Sequence, residues 1–233
     1  MLPLMLALLF AVIAADAMAA CSAPKNSHWR PLYDKAGKSI PMSYRLIQNG
    51  ETRVLEARGT IHKDESKRLK SALNRHAPVH EVWLYSGGGV SVEGIKMGRH
   101  LRQQGLAVRI PKGSVCFSAC SMVFLGGVLR AVDPGGYYGV HMWTRWRTSS
   151  AEKIVDSVIE LNQKAPKKEV VRQVRDLLQS IERRNADYAR QRANYLIEMS
   201  VSLRLMVPNV QTKASNQYWL CPNEMRSFNV TNY

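Results

Sequence analysis

The 233-residue sequence lacks the patterns that mark the common cofactor, metal and nucleic-acid sites. It contains neither GxGxxG nor GxxxxGK[ST], so nothing indicates a dinucleotide or phosphate loop. Its four cysteines form no CxxC pair and no cluster with histidine, which argues against a metal site. It also has no zinc-finger or helix-turn-helix signature and no basic motif interleaved with aromatic residues. We therefore expect no cofactor, no metal and no nucleic-acid partner.

Acidic residues are scarce, with 18 Asp and Glu against 33 Lys and Arg, and the net charge is +15. No acid occurs between Glu93 and Asp133, whereas Lys96, Arg99 and Arg102 recur on one side of a predicted helix. A solvated helix face is the favoured interpretation. Contact with an acidic partner or with lipid headgroups at a membrane surface is the alternative.

The amino-terminal apolar run, from Leu2 to Ala15, is shorter than the roughly 20 residues that a membrane-spanning helix needs. The tripeptide AMA at 17–19 follows it and has the form of a signal-peptidase cleavage site. We therefore predict a signal peptide over 1–19 and a periplasmic or secreted location. The run has no positive residue before it. The sequence AAC ending at Cys21 also resembles a lipoprotein box, so lipid attachment there is an alternative.

The length favours one domain, which we assign to 42–233 after a loose, polar lead-in at 20–41. Asn49-Gly50 between two extended runs predicts a hairpin. The pattern then alternates strand, helix, strand, helix, strand as far as Ile110, which predicts an α/β fold with a largely parallel sheet. Residues 149–206 are predicted to be mostly helical.

The stretch GSVCFSACSMVFLGG, at 113–127, predicts a turn that delivers Ser118 to the start of a buried apolar helix. Serine at this position has two interpretations. It is a favoured N-cap residue, or it is a nucleophile whose oxyanion would use the N–H groups of the first helical turn.

Two flanking segments bear on that choice. Upstream, an apolar strand ends at Ser86 and three glycines, a turn that permits unusual backbone angles and close approach of another group. Downstream, the alternating segment 137–143 predicts a strand that carries His141. Histidine in such a strand is commonly a core residue, but a helix and a returning strand can bring His141 and Ser118 together.

These motifs in this order resemble the Clp protease proteolytic subunit superfamily, and most closely its exported, uncharacterised branch. The resemblance covers about 56–228 and implies the Clp protease/crotonase-like fold, with ββα repeats and a helical C-terminal half. It implies Ser118 as nucleophile and His141 as base. It also implies Gly88 and Ala119 as the residues whose backbone N–H groups form the oxyanion hole.

The third catalytic position departs from the family, which places an aspartate there. The corresponding segment, 215–225, offers Asn216 or Gln217 and no carboxylate near them. An amide oxygen can orient the imidazole but cannot stabilise its charged form. We therefore take Asn216 as the third site residue.

Two functions follow from the resemblance. The first is an exported serine hydrolase, a peptidase in family terms, acting on a peptide or a small acyl substrate. The alternative is a non-catalytic envelope protein that keeps the fold for binding or assembly. In the family the segment after the histidine joins subunits into rings, which makes a homo-oligomer an expectation here. A bridge from Cys116 or Cys120 to Cys221, or free thiols, are both compatible with the cysteine positions.

Overall fold

The computed structural model describes residues 21–143 and 148–233, and the predicted signal peptide lies outside them. The strands are β1 Ser43–Asn49, β2 Thr52–Arg58, β3 Glu81–Tyr85, β4 Ala107–Ile110, β5 Val115–Phe117, β6 Arg130–Val132, β7 Tyr137–Val140 and β8 Tyr218–Trp219. The α-helices are α1 Asn26–Trp29, α2 Glu65–Arg75, α3 Ser91–Gln103, α4 Ala119–Leu125, α5 Thr148–Lys164, α6 Lys167–Glu198, α7 Met206–Gln211 and α8 Pro222–Ser227. The 3₁₀ turns are Arg30–Leu32 and Leu203–Leu205.

The larger sheet has the strand order β1-β2-β3-β4-β6 and is parallel except for the β1–β2 hairpin. Asn49 pairs with Thr52 across the Asn49-Gly50 turn, which confirms the predicted hairpin. The central strands carry fully buried aliphatic residues, as a parallel sheet covered by helices requires. The predicted α/β class, with a largely parallel sheet flanked by helices and a helical C-terminal half, is confirmed.

A smaller sheet, ordered β5-β7-β8, carries the candidate site. β5 runs parallel to β7, and β8 pairs antiparallel with β7. An isolated bridge between Ser86 and Cys116 connects the end of β3 to β5. This bridge places the glycine turn that follows β3 beside the turn that follows β5.

Close packing of α3 on α4 depends on small residues. A Cβ added to Gly94 would lie 2.4 Å from the carbonyl oxygen of Ala119, and one added to Gly98 would lie 2.6 Å from that of Met122. Such distances require glycine, because a side chain would push the two helices apart. The helix after the glycine turn is thereby fixed against the helix that begins after Ser118.

The long helix α6 has two different environments along its length. Its last turns carry Tyr195 and Leu196, which are fully buried in the main core. Its first half forms a hairpin with α5, and Val171 and Leu178 there are 58% and 56% exposed. The predicted helical segment is confirmed, with its break between α5 and α6 at Ala165-Pro166.

The lead-in is packed on the domain, in contrast to the loose segment that we expected from its polar composition. Leu32 is buried with Phe117 and Trp219, and Trp29 packs against that cluster. The Tyr85 hydroxyl donates to the His28 carbonyl at 2.7 Å. A disulfide joins Cys21 to Cys221. Aromatic contacts and one covalent bond therefore hold this proline-containing segment, and neither produces a periodic pattern in the sequence.

Candidate functional site

Ser118 and His141, which are 23 residues apart, are joined by a hydrogen bond of 2.7 Å between Ser118 Oγ and His141 Nε2. Ser118 lies immediately after β5 and immediately before α4, and His141 follows β7. Because β5 and β7 are parallel neighbours, their carboxyl ends lie at one edge of the small sheet. The structure therefore brings together the two side chains that the sequence predicts as a nucleophile and base.

The backbone of Ser118 is strained, with φ 60° and ψ −122°. A non-glycine residue in this region is uncommon, and such residues concentrate at functional sites. The Ser118 side chain makes no capping hydrogen bond to α4. The N-cap interpretation is therefore not what this structure shows, because the hydroxyl is directed to His141.

Two hydrogen bonds and a disulfide restrain the turn at Ser118. The Ser118 carbonyl accepts hydrogen bonds from the Ser121 hydroxyl at 2.6 Å and from the Ser121 N–H at 3.0 Å. A disulfide joins Cys116 to Cys120, so a covalent bridge spans Ser118. Both cysteines are fully buried.

The structure corrects the expected cysteine pairing. Cys221 pairs with Cys21 and not with Cys116 or Cys120, and no cysteine among the described residues is free. Cys116 lies on β5, and Cys120 follows it in the first turn of α4, which puts the two Cα atoms 5.2 Å apart. The lead-in then supplies the partner for Cys221.

The two predicted oxyanion-hole residues lie side by side but differ in what their N–H groups contact. A Cβ added to Gly88 would lie 2.8 Å from Ala119 N and 2.7 Å from the Ser118 Cβ, so the turn passes close to Ser118. The Gly88 N–H donates to the buried Ser86 hydroxyl at 3.0 Å. No hydrogen bond from the Ala119 N–H occurs within the described part of the chain. Ala119 is thus the open donor of the pair.

His141 is partly buried and stacks on Phe117, with ring centroids 4.6 Å apart. Burial lowers its pKa, the charge of Arg192 lowers the pKa further, and the backbone at Ala214 opposes both by accepting from the ring. The imidazole is therefore kept in its neutral form at neutral pH. Only the neutral form can accept the proton of Ser118.

The structure does not bring Asn216 to His141. Its side chain is exposed, and its Oδ1 accepts from the Ser215 hydroxyl at 3.2 Å. The backbone of Ala214 faces the ring instead, because the Met142 N–H donates to the Thr212 carbonyl and holds these two segments together. His141 Nδ1 is buried, and its contact with the Ala214 backbone falls short of normal hydrogen-bond geometry.

Comparison with known proteins shows similarity in structure and none to a family model or a curated sequence. No family model matches the sequence, and no curated protein matches it. The chain is similar in structure to a mutant of ClpP1 from Listeria monocytogenes, with 14% identity and a TM-score of 0.44 over 77% of this chain and 88% of that one. It is also similar to a mutant of the 1510-N membrane-bound stomatin-specific protease, with 13% identity and a TM-score of 0.37 over 76% of this chain and 75% of that one.

Sequence reasoning missed several groups around the pair. Ser86 lies within the SGGG motif, but its bond to the Gly88 N–H depends on the turn geometry. Phe117 precedes the serine, and only the pairing of β5 with β7 shows that it stacks on His141. Arg192 comes from α6, more than 50 residues from His141, and no local pattern connects the two.

The predicted basic face of α3 is largely paired. Lys96 binds Glu93 at 2.8 Å, Arg99 binds Glu198 at 2.9 Å, and Arg102 donates to the carbonyls of Leu125 and Met199. Within the described residues, no group of histidine, cysteine and acidic side chains could hold a metal ion. Nor is any described helix long and apolar enough to cross a membrane.

Proposed function

We propose that this protein is a serine hydrolase that works by acyl transfer, with Ser118 as nucleophile and His141 as general base. The main support for this proposal is the 2.7 Å hydrogen bond between Ser118 Oγ and His141 Nε2, on a serine with a strained backbone. A nucleophile and base within hydrogen-bond reach are the minimum that covalent catalysis by serine requires.

In this mechanism His141 Nε2 takes the proton of Ser118 as its oxygen attacks a carbonyl carbon. The developing oxyanion accepts from the Ala119 N–H. The Gly88 N–H becomes a second donor to the oxyanion when it leaves the Ser86 hydroxyl and turns to the substrate. The imidazolium then returns the proton to the leaving group, and water releases the acyl group. A peptide or small acyl compound is the proposed substrate.

A fluorophosphonate probe tests the proposal directly, because it reacts with activated serines. We expect labelling of the wild type and none of Ser118→Ala, with Ser215→Ala as a matched control near the site. Ser215 is exposed and lies outside the proposed machinery. Folded wild-type protein that takes no label would overturn the hydrolase proposal.

Two observations favour the second candidate, a non-catalytic envelope protein. His141 Nδ1 has no carboxylate acceptor among the described residues, and one of the two predicted oxyanion donors is occupied by Ser86. Loss of the carboxylate alone can reduce the rate about 10⁴-fold. A wild type that binds peptides without labelling or turnover would favour this candidate.

Export is also part of the proposal, supported by the apolar leader and by two disulfides, which persist in oxidising compartments. Lipid attachment at Cys21 and the Cys21–Cys221 bridge are mutually exclusive, since both consume the same thiol. Intact mass of the mature protein distinguishes them. Self-association through the exposed apolar residues of the α5–α6 hairpin is a further proposal, and light scattering of the purified protein checks it.

A further inference from the structure

The ring of Phe117 covers one face of the His141 imidazole. The two rings are nearly parallel, with an interplanar angle of 20° and centroids 4.6 Å apart. Phe117 is the last residue of β5, immediately before Ser118, and it is buried. It therefore touches the proposed base without taking part in the proton transfer.

The pairing of the small sheet explains why these rings meet. Phe117 pairs with Gly139 on one side of β7, and Trp219 pairs with Gly139 on the other side. Alternate residues of an extended segment share a face, so His141 comes next after Gly139 on this face. A Cβ at Gly139 would lie 2.6 Å from Trp219 Cε3 and 2.9 Å from Phe117 Cδ2. The two aromatic rings thus occupy the space beside His141 that any side chain at Gly139 would need.

The lead-in completes this group of rings. Trp29 lies edge-on to Phe117, with centroids 6.0 Å apart, and it also packs on Trp219 at 5.7 Å. A Cβ at Gly87 would lie 3.5 Å from the Trp29 ring. The lead-in therefore contacts the glycine turn beside Ser118 as well as the rings. We call Trp29, Phe117 and Trp219 the aromatic stack.

An aromatic stack can do two things for a catalytic imidazole. The last side-chain torsion of histidine is broad, so the ring needs a neighbour that fixes its plane. A carboxylate at Nδ1 is the usual neighbour, and no carboxylate of the described residues contacts His141. Phe117 lies flat on the ring instead. Its π face also attracts the imidazolium that forms when Nε2 takes the Ser118 proton, because a cation within about 6 Å of a ring centroid is stabilised.

We propose that Phe117, held in place by Trp29 and Trp219, is a positioning residue that orients the His141 imidazole and stabilises its charged form. The aromatic stack then has the role of the third catalytic residue, and the lead-in is part of the site. Its effect on the reaction rate rests on the proposed hydrolase function, whereas its effect on the imidazole does not.

The effect on the imidazole is tested without any turnover. His141 is titrated by NMR in Ser118→Ala, alone and combined with Phe117→Leu or Phe117→Tyr. Phe117→Leu keeps an apolar side chain but removes the π face, so we expect the pKa of His141 to fall. Phe117→Tyr keeps the ring and should keep the pKa. The charge of Arg192, which also acts on His141, is the same in all of these proteins.

Phe124→Leu is the matched control for the titration. It makes the same change at a fully buried phenylalanine, whose ring packs on Tyr138 at 5.4 Å. We expect it to lower stability and to leave the pKa of His141 unchanged. A pKa that stays the same or rises in Phe117→Leu would overturn the proposal.

The effect on the rate is tested with the fluorophosphonate probe. We expect Phe117→Leu to slow labelling about tenfold, since the imidazolium loses its π contact. Phe117→Tyr should restore the rate, and folded Phe124→Leu should label at the wild-type rate. If Leu and Tyr at this position give equal rates, the ring has no part in positioning the base.

The contribution of the lead-in is tested at its aromatic residues. Trp29→Leu should slow labelling about threefold, because Phe117 loses one of its packing partners. Tyr33→Leu is the control, since Tyr33 belongs to the same segment and is 45% exposed. Equal rates in Trp29→Leu and Tyr33→Leu would remove the lead-in from the site.

The outcomes separate this inference from the hydrolase proposal. A wild type that never labels, but whose His141 pKa falls in Phe117→Leu, keeps the aromatic stack and removes the hydrolase. Labelling that is unchanged in Phe117→Leu, together with an unchanged pKa, keeps the hydrolase and removes the role of the stack. If Phe117→Leu does not fold, Trp29→Leu replaces it in both measurements, and an unchanged pKa and rate in that variant count against the proposal.

Discussion

The two sides of the His141 ring differ in how they are satisfied. On the Nε2 side, Ser118 Oγ lies at 2.7 Å on a turn held by a disulfide and by two bonds from Ser121. On the Nδ1 side the backbone at Ala214 faces the ring, and no carboxylate of the described residues contacts it. The serine side is held by a covalent bridge and hydrogen bonds, whereas the other side has a backbone group in place of a carboxylate. The comparison teaches that a serine and a histidine can be in place while no described carboxylate orients the imidazole.

Removing the shared ring should have the largest effect. His141→Ala deletes the base, and we expect fluorophosphonate labelling to slow by about 10³-fold or more. Labelling is measured as a rate against time, with circular dichroism as the check on folding. A folded His141→Ala protein that labels at the wild-type rate would show that Ser118 reacts without this base.

A substitution in the glycine turn beside Ser118 should reduce activity by nearly as much. A Cβ at Gly88 would lie 2.6 Å from the Phe117 carbonyl oxygen, and Gly88 has φ +95°. Gly88→Ala should therefore displace the Ser118 turn and reduce kcat about 10²-fold, the cost of losing an oxyanion donor. Gly50→Ala is the control, since it also has positive φ but has open space around it. Equal losses in both variants would assign the effect to backbone strain alone.

Removal of one disulfide should mainly reduce activity, and removal of the other should mainly reduce stability. Cys116–Cys120 closes a loop of 4 residues beside Ser118, and its replacement by two serines should reduce the labelling rate about tenfold at a stability cost of about 2 kcal/mol. Cys21–Cys221 closes a loop of 200 residues, and its replacement should cost about 5 kcal/mol. Urea unfolding and labelling are measured on both variants. The reverse pattern would show that the short bridge is not what holds Ser118.

The pH dependence of the labelling rate reports on the pKa of His141. Burial and the charge of Arg192 lower the pKa of His141, so the neutral base persists to lower pH than for a free histidine near 6.5. We therefore expect the acidic limb of the labelling rate to lie below about pH 6.5. Arg192→Met removes one cause of the lowered pKa and should move the limb to higher pH. A limb above pH 6.5 in the wild type would contradict this prediction.

Substitution of Asn216 should have the smallest effect on the labelling rate. Its exposed side chain does not contact His141 in the structure, so Asn216→Ala should change the labelling rate less than about twofold. Ser215→Ala serves as its neighbour control. A tenfold loss in Asn216→Ala alone would restore Asn216 as the residue that orients the imidazole.

Much of the fold could be predicted because its elements carry local patterns. The hairpin at Asn49-Gly50 and the buried helix after Ser118 both follow from periodicity and turn residues. Ser118, His141 and Gly88 could be named because each lies in a short motif at the end of a strand. The cysteine pairing and the packed lead-in could not be predicted, because Cys21 and Cys221 are 200 residues apart and no local pattern connects them.

By itself the sequence determined the alternation of strands and helices, the apolar run from Leu2 to Ala15 and the identities of the candidate nucleophile and base. Those features depend on neighbours within a few residues, where hydrogen bonding and side-chain periodicity act directly. Only the tertiary structure decided that the Ser118 hydroxyl points to His141 and that Asn216 points away from it. It alone brought the segment at Thr212 beside His141, because such contacts join distant segments that meet only when the core packs.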